Sequence, residues 1–334
     1  MSQNSGGIGP FDWRALVGEA LRRRKAERMT QREHAALASV SIPTIAAFDR
    51  GETTLTLAKA FDILRVVGLI DEPTEEGAQD AFLREAVARW RTLTETLPPD
   101  SPGRFPNGYY RFDYWLEGEL KAFSVTEFEE VLRQAVIRYS NFPAFWVPKR
   151  ATIAPREIDG VLECWLSPEL DGRFITDPEH CDFWRATPTG RLFLMRGYRE
   201  DGQETFAPGT IFDATLPVRH MGETLVHAGR LAALMRATPA AEITVHFRAL
   251  YSGLSGRVLR SWSNPMSDLL VEGHAARGDE AMSEAVLPAA AIDDHLAEYL
   301  FPLVASLYER FGVTGLAASR VKAEIDRFLQ SRAI

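Results

Sequence analysis

The chain has 334 residues, room for two or three domains, and its 46% apolar and 25% charged content is that of an ordinary globular protein. No apolar run approaches the ~20 residues that cross a bilayer, and two cysteines, Cys164 and Cys181, exclude a disulfide framework. The net charge of −8 is unevenly spread: residues 1–70 carry 10 Lys and Arg against 7 Asp and Glu, the remainder 28 against 39, so a polyanionic partner can meet only the N-terminal part.

In chain order, residues 1–10 have neither the basic nor the apolar stretch of a secretory leader, and their Ser, Asn and Gly content predicts a flexible lead. Helical periodicity then runs from Phe11 to about Leu93. A first helix is predicted from Asp12, as N-cap, to Glu27, with Leu16, Ala20 and Leu21 inward. Thr30 caps a second helix through a Thr30-x-x-Glu33 box, and Ser41 caps a third with Ile45 and Phe48 buried. Gly51 sits where a helix end needs φ > 0. A fourth helix over 57–67 is expected to close a small core with Leu57, Phe61, Leu64 and Val67, ending at Gly68.

Over 71–95, with Pro73 in the first turn, Ala78, Phe82, Leu83, Ala86, Val87, Trp90 and Leu93 make the stripe of a connecting helix that packs on the body or pairs with its twin. The Pro-rich segment 97–103 stops it, and 96–109 reads as a linker. A helix with a Thr126-x-x-Glu129 box follows, apolar at Phe128, Val131, Leu132, Ala135, Val136 and Tyr139. The period then changes to two: 161–166, 191–195, 210–216 and 242–248 read as strands, and 251–256 as a hairpin turn into a strand over 257–262. A helix is expected over 219–236, and the end is helical, with one face from Ile292 to Phe311. The fold class is multidomain: an all-α N-terminal bundle over 11–70, the connecting helix, and a larger α+β domain over 110–334 ending in long helices.

Thr30-Gln31, Val40-Ser41, Ile45 and Asp49-x-Gly51 stand in one register. On these residues the segment 16–69, a sixth of the chain, resembles the Cro/C1-type (XRE-like) helix-turn-helix. The resemblance implies that the third helix lies in the major groove of double-stranded DNA. It places Ser41, Ile42, Pro43, Thr44, Ala46 and Ala47 at or near the bases, and Thr30, Gln31 and Arg50 at the backbone. It also implies an ion pair between Arg24 and Asp49 that fixes the third helix. Three departures stand out. Arg28 replaces the glycine before the Thr-Gln turn, at φ > 0, where a phosphate contact offsets the strain; His34 replaces a core leucine and weakens that contact; and the reading surface is nearly apolar, leaving specificity to Thr44, Gln31 and DNA shape.

No catalytic motif, metal pattern or cofactor cradle is recognised in the rest of the chain, so no enzyme, metal or cofactor is expected. His180-Cys181-Asp182 and His220 with His227 lack the four spaced ligands of a metal site. Phe142, Phe145 and Trp146, in a Pro-bounded loop, line either a ligand pocket or interface, or plug the core. The expectation is a cytoplasmic, sequence-specific transcription regulator, a repressor acting as a homodimer, whose 110–334 domain dimerises and senses a small molecule or protein. The alternatives are an antitoxin or defence-system interaction protein and, behind it, a DNA-directed enzyme.

Overall fold

The computed structural model describes residues 12–70, 75–139, 142–168, 177–265, 267, 269 and 273–330. The expected lead over 1–10, Pro73, and Ser140 and Asn141 of the aromatic loop lie outside these residues. Contacts divide the chain into two compact units, Met1–Gly77 and Ala78–Ile334.

In the first unit, α1 (Trp13–Ala26), α2 (Gln31–Leu37), α3 (Ile42–Asp49) and α4 (Leu57–Val66) each begin at a side-chain cap, Asp12, Thr30, Ser41 and Thr56 respectively. Thr30 and Glu33 close a reciprocal box. All four helices end alike. The residue after the C-cap turns to positive φ, and the next amide reaches back to close the turn: Met29 to Arg24, Val40 to Ala35, Glu52 to Ala47, Leu69 to Leu64. Glycines supply the turn after α3 and α4 (Gly51 and Gly68), whereas Arg28 (φ +56°) and Ser39 (φ +52°) supply it after α1 and α2. These two non-glycine turns cost roughly 1 kcal/mol each.

The core of this unit joins Val17 and Ala20 to Ala35, Ala38, Ile45, Phe48, Ile63, Leu64 and Val67. The expectation for α4 needs correction. Leu57 is 72% and Phe61 40% exposed, while Ala60 and Ile63 are buried with Leu64. Two stripes of the same period share Leu64, and packing selects the one bearing the small Ala60 over the one bearing the bulky Phe61. His34 is also more than a poor leucine: it is 1% exposed, and its Nε2 lies 2.8 Å from the Ile63 carbonyl, tying α2 to α4.

The second unit is built on a seven-stranded sheet of order β2-β3-β4-β5-β1-β7-β9, in which every neighbouring pair is antiparallel. The strands are β1 (Tyr109–Gly118), β2 (Arg156–Ile158), β3 (Val161–Trp165), β4 (Phe183–Ala186), β5 (Arg191–Gly197), β7 (Ile243–Tyr251) and β9 (Ala281–Pro288). β6 (Ile211–Asp213) and β8 (Val258–Arg260) form a separate parallel pair. Tyr110, Phe112, Tyr114 and Leu116 of β1, an interior strand, face a large core made with α6 (Val125–Ala135), α7 (Leu216–Met235), α8 (Ile292–Glu309) and α9 (Ala318–Gln330). On the opposite face, Phe82, Leu83 and Ala86 of α5 (Glu75–Thr94) pack on Phe183, Phe193 and Met195.

The helix over 71–95 takes the first of its two expected arrangements, packed on the body. Three sequence expectations change here. The box of α6 is Ser124 with Glu127, two residues earlier than expected, and the helix stops at Ala135, before Tyr139. The strand expected over 210–216 is only Ile211–Asp213, because α7 starts at Leu216. The turn after β7 is not a hairpin, since β8 pairs with β6. There Gly253 and Gly108, both at positive φ, meet backbone to backbone: a Cβ on Gly108 would fall 2.4 Å from the Ser252 carbonyl oxygen. Arg257, fully buried, fixes this turn by donating to Gly253 O, Asn107 O, Ile211 O and both carboxylate oxygens of Asp201.

Candidate nucleic-acid interface

α3 is amphipathic by necessity. Ile45 and Phe48 are wholly buried, which turns Ser41, Ile42 and Pro43 outward, with Ile42 53% exposed. Thr44, Ala46 and Ala47 are half-buried at the flank of that surface. Two interactions hold the far end of the helix. Trp13 donates its indole N–H to Gly51 O at 3.1 Å and packs edge-on against Phe48. Arg24 forks onto Asp49 at 2.9 and 2.7 Å, with both side chains about one-seventh exposed. A bidentate pair of this kind fixes angle as well as distance.

Gln31 joins the same group, its Nε2 donating to Asp49 Oδ2 at 2.7 Å. The start of α2, the end of α3 and the end of α1 therefore meet at one carboxylate. Apart from Arg28, the other polar residues expected to read or grip DNA are also engaged. The Thr44 and Ser41 hydroxyls share a 2.8 Å hydrogen bond, and Arg50 Nε donates to Glu52 at 2.8 Å. Thr30 is committed to its box with Glu33, whose carboxyl is held below its usual range by the Thr30 amide and hydroxyl. Arg28 is exposed and has no ion pair among the described residues.

Sequence reasoning missed Arg14, Arg32 and Lys59. Each is exposed and, among the described residues, without an acidic partner, whereas Arg22, Arg23, Arg24, Arg50 and Arg65 are all paired. Composition counts these cations alike. Only the fold separates those already neutralised from those left for a polyanion.

Among the described residues of the second unit, His220 and His227 pack singly against aromatic rings. His227 is buried, accepts or donates through Nδ1 to the Tyr114 hydroxyl at 2.9 Å, and stacks on Phe145. Burial, reinforced by Arg230, pushes its pKa down to about 3. His220 stacks on Tyr110, and burial, then Arg196, Arg219 and Arg199, hold it well below its usual value. His180 pairs with Asp177 at 3.1 Å, and with Glu179 the three form the one group of potential ligand atoms found close together among the described residues. Asp182 is instead buried under Arg196, which forks onto it.

Phe145 is wholly buried against Tyr114 and His227, while Phe142, half-buried, lies under the Arg196 guanidinium at 4.6 Å. The Trp146 carbonyl accepts from the Trp184 indole at 3.0 Å, so the loop plugs the end of the core. Both cysteines are buried. No described helix is long and apolar enough to cross a membrane. Compared with protein families, curated proteins and solved structures, the chain finds no match.

Proposed function

We propose that the chain is a sequence-specific DNA-binding transcription regulator, a cytoplasmic repressor that acts as a homodimer and reads duplex DNA with α3. The observation that carries the reading is the combination of an exposed α3 front, at Ser41, Ile42 and Pro43, with a far end locked by Trp13, Arg24, Asp49 and Gln31. A rigid rod with an open outer side suits insertion into a groove about 12 Å wide. Ile42, Pro43, Ala46 and Ala47 pack on thymine methyls, and Arg14, Arg28, Arg32 and Lys59 meet phosphates.

A single module reads few base pairs. Two across a pseudo-palindrome, ~34–36 Å apart, supply workable specificity. The acidic body, 28 Lys and Arg against 39 Asp and Glu beyond residue 70, repels the phosphate backbone and leaves contact to the basic unit.

The test is a gel shift of the full chain on its own promoter, titrated with salt. Binding should weaken steeply with salt, and Arg32→Ala should flatten the log–log slope by about 0.9 per reader while lowering affinity on every sequence alike. Salt-insensitive binding, or none, removes the proposal. One observation favours a second reading: Leu37, Leu57 and Phe61 are also exposed on this small unit, an apolar content suited to a protein partner. Stoichiometric co-purification of another protein, lost in Phe61→Ser and kept in Arg32→Ala, would support that reading instead.

A further inference from the structure

A pocket of about 300 Å³ opens in the second unit between α5, the segment leading into β2, and β3. Its walls are of two kinds. Leu93, Ile153, Ile158 and Trp165 make an apolar side, while Arg89 and Arg156 are its cations and Glu163 its single carboxylate. That carboxylate is already spent. Both of its oxygens accept from Arg89 Nε at 3.0 Å, and it lies 3.5 Å from Arg185, a 7% exposed side chain whose Nε has no hydrogen bond.

Guanidinium donors are left over. Arg156 stands directly across the strand pair from Glu163, is exposed, and has no ion pair among the described residues. The Nη groups of Arg89 make no hydrogen bond among the described residues, because Nε alone bonds Glu163. Two planar guanidinium donors at the rim of an apolar slot match a carboxylate carried on an aromatic or branched aliphatic body. The volume lies at the lower end of small-molecule sites and suits a ligand of roughly 10–15 non-hydrogen atoms.

We propose that this pocket binds a small amphipathic organic anion, an aryl or branched alkyl carboxylate. Its carboxylate bridges Arg156 and the Nη groups of Arg89, and its body lies against Trp165 and Ile153. The site goes beyond the DNA-binding reading and does not depend on it. Arg89 belongs to α5, so an occupant touches that helix directly.

The experiment is calorimetric titration of the full chain, without DNA, with phenylacetate, indole-3-acetate and 4-methylpentanoate, and with phenylacetamide as the neutral counterpart. At least one carboxylate should bind once per chain with a Kd on the order of 1 mM or below. Phenylacetamide should bind about tenfold more weakly than phenylacetate. Arg156→Gln, on an exposed three-residue strand, should keep the melting temperature and weaken carboxylate binding about tenfold, and Ala154→Phe, which fills the slot, should abolish it. No saturable binding by any of the three carboxylates overturns the proposal, as does equal binding of the amide or binding untouched by both substitutions. Because no DNA is present, failure here leaves the DNA-binding reading standing, and failure of the gel shift leaves this site standing.

Discussion

Arg28 carries an arginine side chain at φ +56°, a conformation that glycine takes without cost. Nothing among the described residues pairs with its guanidinium, so the folded chain gains nothing visible from the arginine. Arg28→Gly is therefore expected to raise stability by up to ~1 kcal/mol in urea unfolding while lowering DNA affinity in the gel shift. A variant that is both more stable and equally tight on DNA would leave the strained arginine without a purpose. Asp49 makes the opposite case. Its carboxylate accepts from Arg24 and Gln31 together, so Asp49→Ala should cost about 1–3 kcal/mol by stranding a partly buried guanidinium, read as a lowered urea midpoint. Both positions were legible only through the resemblance, which implies a glycine where Arg28 stands and an ion pair between Arg24 and Asp49. The hydrogen bond from Gln31 was not, since residues 18 apart in sequence meet only through the angle between α2 and α3.

At the scale of elements, helix starts were more legible than helix faces. Asp12, Thr30 and Ser41 announce themselves because a cap is a contact between residues three apart, whereas Thr56 went unread. Even so, Thr126-x-x-Glu129 and Ser124-x-x-Glu127 satisfy the same rule, and only the observed chain direction chose Ser124. The face of α4 was misassigned because size favours Leu57 and Phe61 as core residues, whereas packing buried Ala60 and Ile63. Two substitutions measure that choice. Ile63→Ala should cost about 2–5 kcal/mol, whereas Phe61→Ser should stay within about 0.5 kcal/mol, both read by urea unfolding. Equal losses would contradict the packing described here. The strands β1, β2, β4 and β9 went unread, β1 for a related reason. β1 is buried on both sides along much of its length, with Phe112, Asp113 and Tyr114 all 0% exposed, so no apolar–polar alternation marks it. Asp113 survives there because Gln79, Arg111 and Arg248 surround it.

At the scale of the whole molecule, the charge division separates a basic unit from an acidic body, and the body's buried ionisable groups set its response to pH. Glu200 is buried, next to Asp213, and its pKa is pushed up to about 8, first by burial and then by that neighbour. Its neutral form stabilises the fold fully below the unfolded value near 4.5, and the contribution is lost as pH rises through about 8. His227, pushed down to about 3, and His220, also lowered, act in the other direction. They are stabilising as neutral groups above about 6.5, and stability falls as pH drops below that, by at most ~1.4 kcal/mol per unit for each. Between about 4.5 and 6.5 the two histidines outweigh the single glutamate. Above 6.5 Glu200 dominates, and the raised carboxyls of Glu179 and Asp182, both pushed up by burial, and His180, whose pairing with Asp177 is half exposed and screened, act in the same direction. Stability is expected to peak near pH 6.5 and to fall by about 2 kcal/mol by pH 8. Glu200→Gln, which keeps the acceptor for the Asp213 amide, should remove most of that fall in urea midpoints measured across the range. A wild-type profile that stays level from pH 6.5 to 8 would show that Glu200 is not held neutral.

The sequence by itself determined the four N-terminal helices and the caps of the first three, the helical α7 and the helical end, and the division of charge. Each of these depends on residues within one or two turns of each other, or on composition alone. The tertiary structure decided what depends on distant partners. It showed which cations are already paired, that α5 is a layer of the body, and that Phe145 and His227 are core. It also placed Arg156 across from Glu163 beside an apolar slot. The physical reason is that periodicity fixes which residues share a face, while only packing fixes what that face meets.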